Sequence, residues 1–219
     1  MMKHNLYIVE GGVGKNLQFT SLFDALKKKY KENLSIMASW PTLFQHDPRV
    51  SCVLPWNSVP LHDWASTVFK NYNQIISHDP YRSDFLKGDK HIITSWAEMY
   101  EVEIDDKLPN FHINKRREKE LEKEILKLGK FILVQFTGGQ GVQDSNYDEN
   151  NSGRNYKRGQ EIIDLIKEGS PNLNILVFGH PNEQEPLLNT MAFNNFGGLP
   201  KFADKEDFMV LAKYCLSFI

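Results

Sequence analysis

The 219-residue chain is poor in cysteine, with Cys52 and Cys215 far apart in sequence. Two such residues exclude a disulfide framework and a cysteine-built zinc site. Both sit in apolar stretches and read as small buried hydrophobes. Long apolar runs are also missing: nothing approaches the ~20 residues of a membrane span. Leu6–Val9 is too short for the core of a signal peptide, so a reducing cytoplasm is the default compartment. Charge of one sign is not in excess, since 26 Lys and Arg face 28 Asp and Glu, a formal net charge of −2. Neither a basic nucleic-acid surface nor an acidic solvating tail is indicated. The seven histidines show no metal-ligand spacing, and no metal or cofactor is expected. Hydrophobic residues make up 41% and charged residues 25%, the balance of a folded chain with a real core.

Apolar runs and glycine turns alternate along this chain. Leu6-Tyr7-Ile8-Val9 reads as a strand, Gly11-Gly12-Val13-Gly14 as a turn, and Phe19, Leu22, Phe23, Leu26 and Tyr30 as one face of a helix. Leu34–Ala38 is the next strand, completing a βαβ unit. Further strands are expected at Val50–Leu54 and Gln74–Ser77, and a helix at Ile92–Tyr100. The segment 115–130 is dense in charge with Leu121, Ile125 and Leu128 at helical spacing; it reads as a solvated helix linking two domains. The pattern then restarts: strand Phe131–Phe136, glycine turn Thr137–Gly141, a helix around Ile162–Ile166, strand Leu173–Phe178, helix Asp207–Tyr214 and the start of a strand at Leu216. The expectation is an α/β protein of two similar parallel-sheet domains, 1–114 and 131–219, joined by 115–130. The apolar ending Cys215–Ile219 means either a terminal strand tucked into the sheet or a second domain cut short.

Three readings are open for the first glycine turn. A phosphate-binding loop needs a Gly where Val9 stands and a Ser or Thr where Asn16 stands. A dinucleotide fingerprint needs an acidic residue at the end of the second strand, where Ser39-Trp40 stand. The third reading is a turn that brings backbone N–H groups close to a polar or anionic ligand.

Several landmarks occur in a fixed order. They are Gly12-x-Gly14-Lys15-Asn16-Leu17 with the helix to Tyr30; Asp47-Pro48-Arg49-Val50; His91–Glu98; Gln135-Phe136-Thr137-Gly138-Gly139; Arg154-Asn155-Tyr156; Leu176–Gly179 followed by Asn182-Glu183; and Leu199-Pro200-Lys201. With these residues the chain resembles glycosyltransferase family 9, the heptosyltransferase-like enzymes. The resemblance implies a GT-B architecture of two Rossmann-like parallel-sheet domains, here with the second incomplete. It also implies an inverting, metal-independent transfer of a sugar from a nucleotide-sugar donor to a glycan or lipid-linked acceptor. Nucleic acid is not an expected partner; peripheral contact with a membrane is.

The same resemblance distributes roles. Gly12, Gly14 and Asn16 belong to the first turn, on the acceptor side. Thr137, Gly138 and Gly139 belong to the loop that opens the donor domain, where Gly138, Gly139 and Gly141 would let backbone approach the donor. Arg154 and Lys157 are the cations available to a diphosphate leaving group. Glu183 matches a residue that contacts the donor ribose, and Tyr156 replaces a family Trp. Two departures stand out. Lys15 occupies the place of the family's Asp general base, and an ammonium cannot accept a proton. The family's Asp-Ser/Thr-Gly-x-x-His motif would lie beyond Ile219. The candidate base is therefore Asp79, at the carboxyl end of the Gln74–Ser77 strand with His78 beside it, while Lys15 is assigned to an anionic acceptor or a phosphate. A non-catalytic sugar- or nucleotide-binding protein and a phosphate-loop-like NTPase are the alternatives.

Overall fold

The computed structural model describes residues 4–56, 58, 63–136, 156, 158–179, 187–194 and 205–217. The chain divides into two compact units, Met1–His112 and Ile113–Ile219.

The first unit is built on four parallel strands, β1 (His4–Val9), β2 (Leu34–Ala38), β3 (Val50–Pro55) and β4 (Tyr72–Ile76), in the order β3-β2-β1-β4. Strand β1 lies inside the sheet, and Leu6 to Val9 are all buried, which is why the sequence reads as an unbroken apolar run. Alternation then sends Tyr7 and Val9 to one face and Leu6 and Ile8 to the other. The first face carries α1 (Val13–Phe19), a 3₁₀ turn (Thr20–Leu22) and α2 (Phe23–Tyr30), which run on as one rod. Phe19, Leu22, Phe23 and Leu26 are fully buried there, as their spacing predicts. The 3₁₀ tightening falls at Thr20, whose hydroxyl donates to Leu17 O at 2.7 Å and accepts from Asn110 N at 2.9 Å. Helix α4 (Ile92–Met99) follows a short α3 (Trp64–Thr67) and buries Trp96 against Phe19, ring centroids 5.1 Å apart.

The stretch Asp47-Pro48-Arg49 acts as a structural clamp. The Arg49 guanidinium donates to both Asp47 oxygens, at 2.8 and 2.6 Å, and to Asp24 on α2 at 2.7 Å. Both Asp47 and Arg49 are buried, and the guanidinium takes its counter-charge from Asp47 together with Asp24.

The second unit repeats the plan with β5 (Phe131–Val134), β6 (Asn174–Gly179) and β7 (Met191–Asn194), parallel in the order β5-β6-β7. Leu216 N donates to Phe131 O at 2.9 Å and Leu133 N to Ser217 O at 3.0 Å, so the terminal segment runs parallel along the edge of β5 away from β6. The sheet is covered on both faces. Helix α5 (Lys115–Lys127) and α7 (Lys205–Tyr214) pack on Phe131, Leu133 and Leu176, and α6 (Gly159–Gly169) packs on Ile132, Val134 and Ile175.

Helix α5 differs from the linking helix expected of 115–130. Leu121 and Ile125 are buried in the core of the second unit, and Arg117 reaches Asp207 of α7 with two bonds of 2.7 Å. The charges form the outer face of an integral helix. The two cysteines are half-buried rather than buried, because Cys52 sits on edge strand β3 and Cys215 just past α7. If α5 belongs to the core, Leu121→Ala lowers stability by about 2–5 kcal/mol. Leu126→Ala, on the exposed side of the same helix, changes it by less than about 0.5 kcal/mol. Urea unfolding of the full chain measures both; equal effects would return α5 to the status of a solvated linker.

Candidate functional site

In a sheet ordered β3-β2-β1-β4 the direction of strand addition reverses at β1, so the carboxyl ends of β1 and β4 diverge into different connections. That switch point is where open parallel sheets hold ligands. The segments leaving β2, β1 and β4 here are Ser39-Trp40, Glu10–Lys15 and Ser77–Tyr81.

The turn after β1 is fixed by its own side chains. Gly11 has φ +101°, a conformation that favours glycine, and a Cβ there would lie 3.1 Å from Lys15 Cδ. Its N–H donates to Ser39 Oγ at 3.2 Å, and its carbonyl accepts from Trp40 Nε1 at 2.9 Å. Asn16 is fully buried, and its amide donates to Gly11 O and Gly12 O at 3.2 and 3.0 Å. Asn16 therefore closes the loop instead of lining it. A magnesium-ligating role, which the phosphate-loop reading would require at this position, does not fit that burial. Gly12 and Gly14 need no special backbone, but a Cβ on either would meet nothing within 4 Å, so the space beside them is open.

Lys15 and Asp79, 64 residues apart, meet across the switch point. Lys15 Nζ donates to Asp79 Oδ1 at 2.7 Å. The Lys15 side chain is 10% exposed and that of Asp79 35%. The ammonium lies 5.0 Å from the Tyr81 ring centroid and 6.0 Å from that of Trp96, so two aromatic rings supplement its one carboxylate. The same two residues also fix the segment that carries Asp79: the Tyr81 backbone N–H donates to Asp79 Oδ1 at 3.1 Å, and Trp96 Nε1 donates to the neighbouring His78 O at 2.8 Å. Burial pulls the Asp79 carboxyl upward, but the Lys15 ammonium, the Tyr81 N–H and the charge of Arg82 outweigh it and hold the carboxyl below the usual range.

His78 and Asp79, adjacent in sequence, serve different surroundings. The His78 ring packs edge-on to Tyr100, 4.6 Å between centroids, and lines a groove with Lys29, Tyr30 and Glu101 to which Asp79 does not contribute. Burial and the nearby Lys29 charge keep this imidazole below its ordinary pKa, so it is neutral at pH 7.

In the second unit, Tyr156 is about half exposed at the carboxyl end of β5, with its N–H bonded to Phe136 O at 2.8 Å. Gly159, opening α6, admits the Phe136 ring so closely that a Cβ would lie 2.8 Å from it. Thr137, Gly138, Gly139, Arg154, Lys157 and Glu183 lie outside the described residues. Among the described residues no cluster of His, Cys, Asp or Glu could hold a metal ion, and no helix is long and apolar enough to cross a membrane.

Sequence reasoning reached Lys15 and Asp79 but not Tyr81, Trp96, Arg82 or Trp40 as parts of one site. Trp96 was legible only as a core residue of a helix, and Tyr81 only as a turn residue after Asp79-Pro80.

No protein-family model and no curated protein sequence matches the chain. Solved structures do. The chain superposes on E. coli ADP-heptose LPS heptosyltransferase II with a TM-score of 0.60 at 12% identity, covering 99% of this chain and 78% of that one. It superposes on a glycosyltransferase family 9 protein from Veillonella parvula DSM 2008 with a TM-score of 0.59 at 10% identity, covering 100% and 76%. The fold is thus of the GT-B class, in its heptosyltransferase-like form, with two Rossmann-like parallel-sheet units.

The Asp79 shift has a measurable sign. A carboxyl depressed in the folded state contributes stability above its unfolded pKa, near ~3.9, and that contribution disappears as pH falls through the folded value. Carboxyl ¹³C NMR should place Asp79 below ~3.9 in the wild type. In Lys15→Met it should rise, because burial then acts with the cation removed. An Asp79 titration unmoved by Lys15→Met would mean that the ion pair does not exist in solution.

Proposed function

We propose that the chain is a glycosyltransferase that moves a sugar from a nucleotide-sugar donor to a glycan or lipid-linked acceptor, with inversion and without a metal. The observation that carries this reading is a carboxylate at the switch point of a heptosyltransferase-like fold: Asp79 stands at the carboxyl end of β4, bonded to the residue that replaces the family's usual base. Asp79 takes the proton of the acceptor hydroxyl. The hydroxyl oxygen forms a bond to the anomeric carbon as the bond from that carbon to the diphosphate oxygen breaks, and the electron pair leaves with the nucleoside diphosphate. Arg154 and Lys157 neutralise the departing charge, Thr137, Gly138 and Gly139 approach the donor through backbone, Glu183 holds the ribose and Tyr156 packs beside it. Gly12 and Gly14 leave room for the acceptor.

A second reading has one observation in its favour. Lys15 already neutralises Asp79, as expected of a protein that binds sugars or nucleotides without turning them over. The two readings separate on turnover. For the transferase, a panel of nucleotide-sugars with glycan acceptors yields free nucleoside diphosphate, and Asp79→Asn lowers the rate by about 10²–10⁴-fold while calorimetric affinity for the nucleoside diphosphate stays within about twofold. Binding without product in the wild type selects the non-catalytic protein; absence of nucleoside diphosphate binding removes both readings.

A further inference from the structure

The Asp79 carboxylate is bonded on one oxygen only. Oδ1 accepts from Lys15 Nζ at 2.7 Å and from Tyr81 N at 3.1 Å, while Oδ2 has no hydrogen-bond partner among the described residues. The main chain around it is pinned as well: Trp96 Nε1 donates to His78 O at 2.8 Å, and Arg82 N donates to Asp79 O at 3.0 Å. Backbone and Oδ1 are thus held by three segments of the first unit: the start of α1, helix α4 and the 3₁₀ turn Pro80–Arg82. The ammonium is the buried partner, 10% exposed, and the carboxylate the open one, 35%. Solvent, and hence a ligand, reaches the carboxylate more readily than the ammonium.

We infer that Lys15 is a positioning residue: with the Tyr81 N–H it clamps Oδ1 of Asp79 and leaves Oδ2 as the oxygen that takes the acceptor proton. The inference rests on the transferase reading above and gives a role to the lysine that stands where the family's base is expected. The acceptor O–H bond breaks toward Oδ2, and the proton stays there until the product leaves, then passes to water. The electron pair of the hydroxyl oxygen goes to the anomeric carbon, and the diphosphate departs with the pair of the bond it loses. Lys15 keeps its proton and its bond to Oδ1 throughout. Neutralisation and base function coexist because they use different oxygens. Orientation and basicity also pull in opposite directions, which separates the two roles. The charges acting on Asp79 are Lys15 from the start of α1 and Arg82 from its own turn; the Trp96 indole of α4 is uncharged, and His78 packs its ring on Tyr100. Removing the Lys15 charge makes Asp79 a stronger base, so the loss of a lysine that only neutralised it would speed proton transfer. Loss of a lysine that orients it slows the reaction, because the carboxylate is then free to turn away from the acceptor.

The test follows nucleoside diphosphate release by the full chain across pH, with UDP-glucose, GDP-mannose and ADP-glucose as donors and p-nitrophenyl hexosides as acceptors. Circular dichroism at each pH confines the comparison to folded protein. Lys15→Met is expected to lower kcat on the pH plateau by about 10–10²-fold and to leave the acceptor KM within about threefold. It should also move the acid limb of kcat/KM up by about one pH unit, a change that a merely structural role would not produce. Lys15→Arg keeps the charge and a donor for Oδ1, so the limb stays at its wild-type position and much of the rate returns. Lys15→Gln serves as the neutral variant where Lys15→Met does not fold. A neutral variant with a plateau at or above wild type, an acid limb left in place, or a Lys15→Arg no faster than the neutral variant overturns the clamp, while product formation keeps the transferase reading standing. A wild type that releases no nucleoside diphosphate from any of these pairs removes both.

Discussion

The order of four parallel strands, β3-β2-β1-β4, is the constraint from which the site follows. Right-handed crossovers place the first connection on one face of the sheet and return the chain to the far side of β1 only with β4. The ends of β1 and β4 are then neighbours, although Lys15 and Asp79 are 64 residues apart. The apolar residues that hold this order are the same ones that position the chemistry. Phe19 and Trp96 pack the helices against the sheet, and the indole of Trp96 also tethers the His78 carbonyl and faces the Lys15 ammonium. Core and site therefore share a residue, and the ion pair inherits the rigidity of the core.

A lysine where relatives are expected to carry a carboxylate changes the electrostatics without emptying the position. Lys15 puts an ammonium just past the end of β1, and a carboxylate just past the end of β4 compensates it at 2.7 Å. Sequence alone presents this as a lost base. The structure presents it as a carboxylate and an ammonium divided between two strand ends, supported by Tyr81 from both sides of the pair.

Much of the fold was legible because its signals are local. Leu6–Val9, Phe131–Val134 and the 3–4 spacing of Phe19, Leu22, Phe23 and Leu26 depend only on burial and periodicity, and each forms the element it predicts. What was not legible depends on partners distant in sequence. The 3₁₀ turn at Thr20 arises from bonds to Leu17 and to Asn110. Strand β7 is a four-residue segment too short for a periodicity, visible only through its pairing with β6. Helix α5 looked like a linker because two buried residues among many charges are a thin apolar stripe, and its core role depends on α7 arriving about ninety residues later with Asp207. In the site, Lys15 and Asp79 could be named one by one, but their contact could not. The aromatic rings around them looked like core or turn residues because nothing in their own neighbourhood records the buried charge they face.

A crystal structure of the full chain with a bound sugar acceptor tests the central claim most directly. The account predicts the sugar at the carboxyl ends of β1 and β4, with a hydroxyl within hydrogen-bond distance of an Asp79 oxygen. A sugar bound elsewhere in the chain would contradict it.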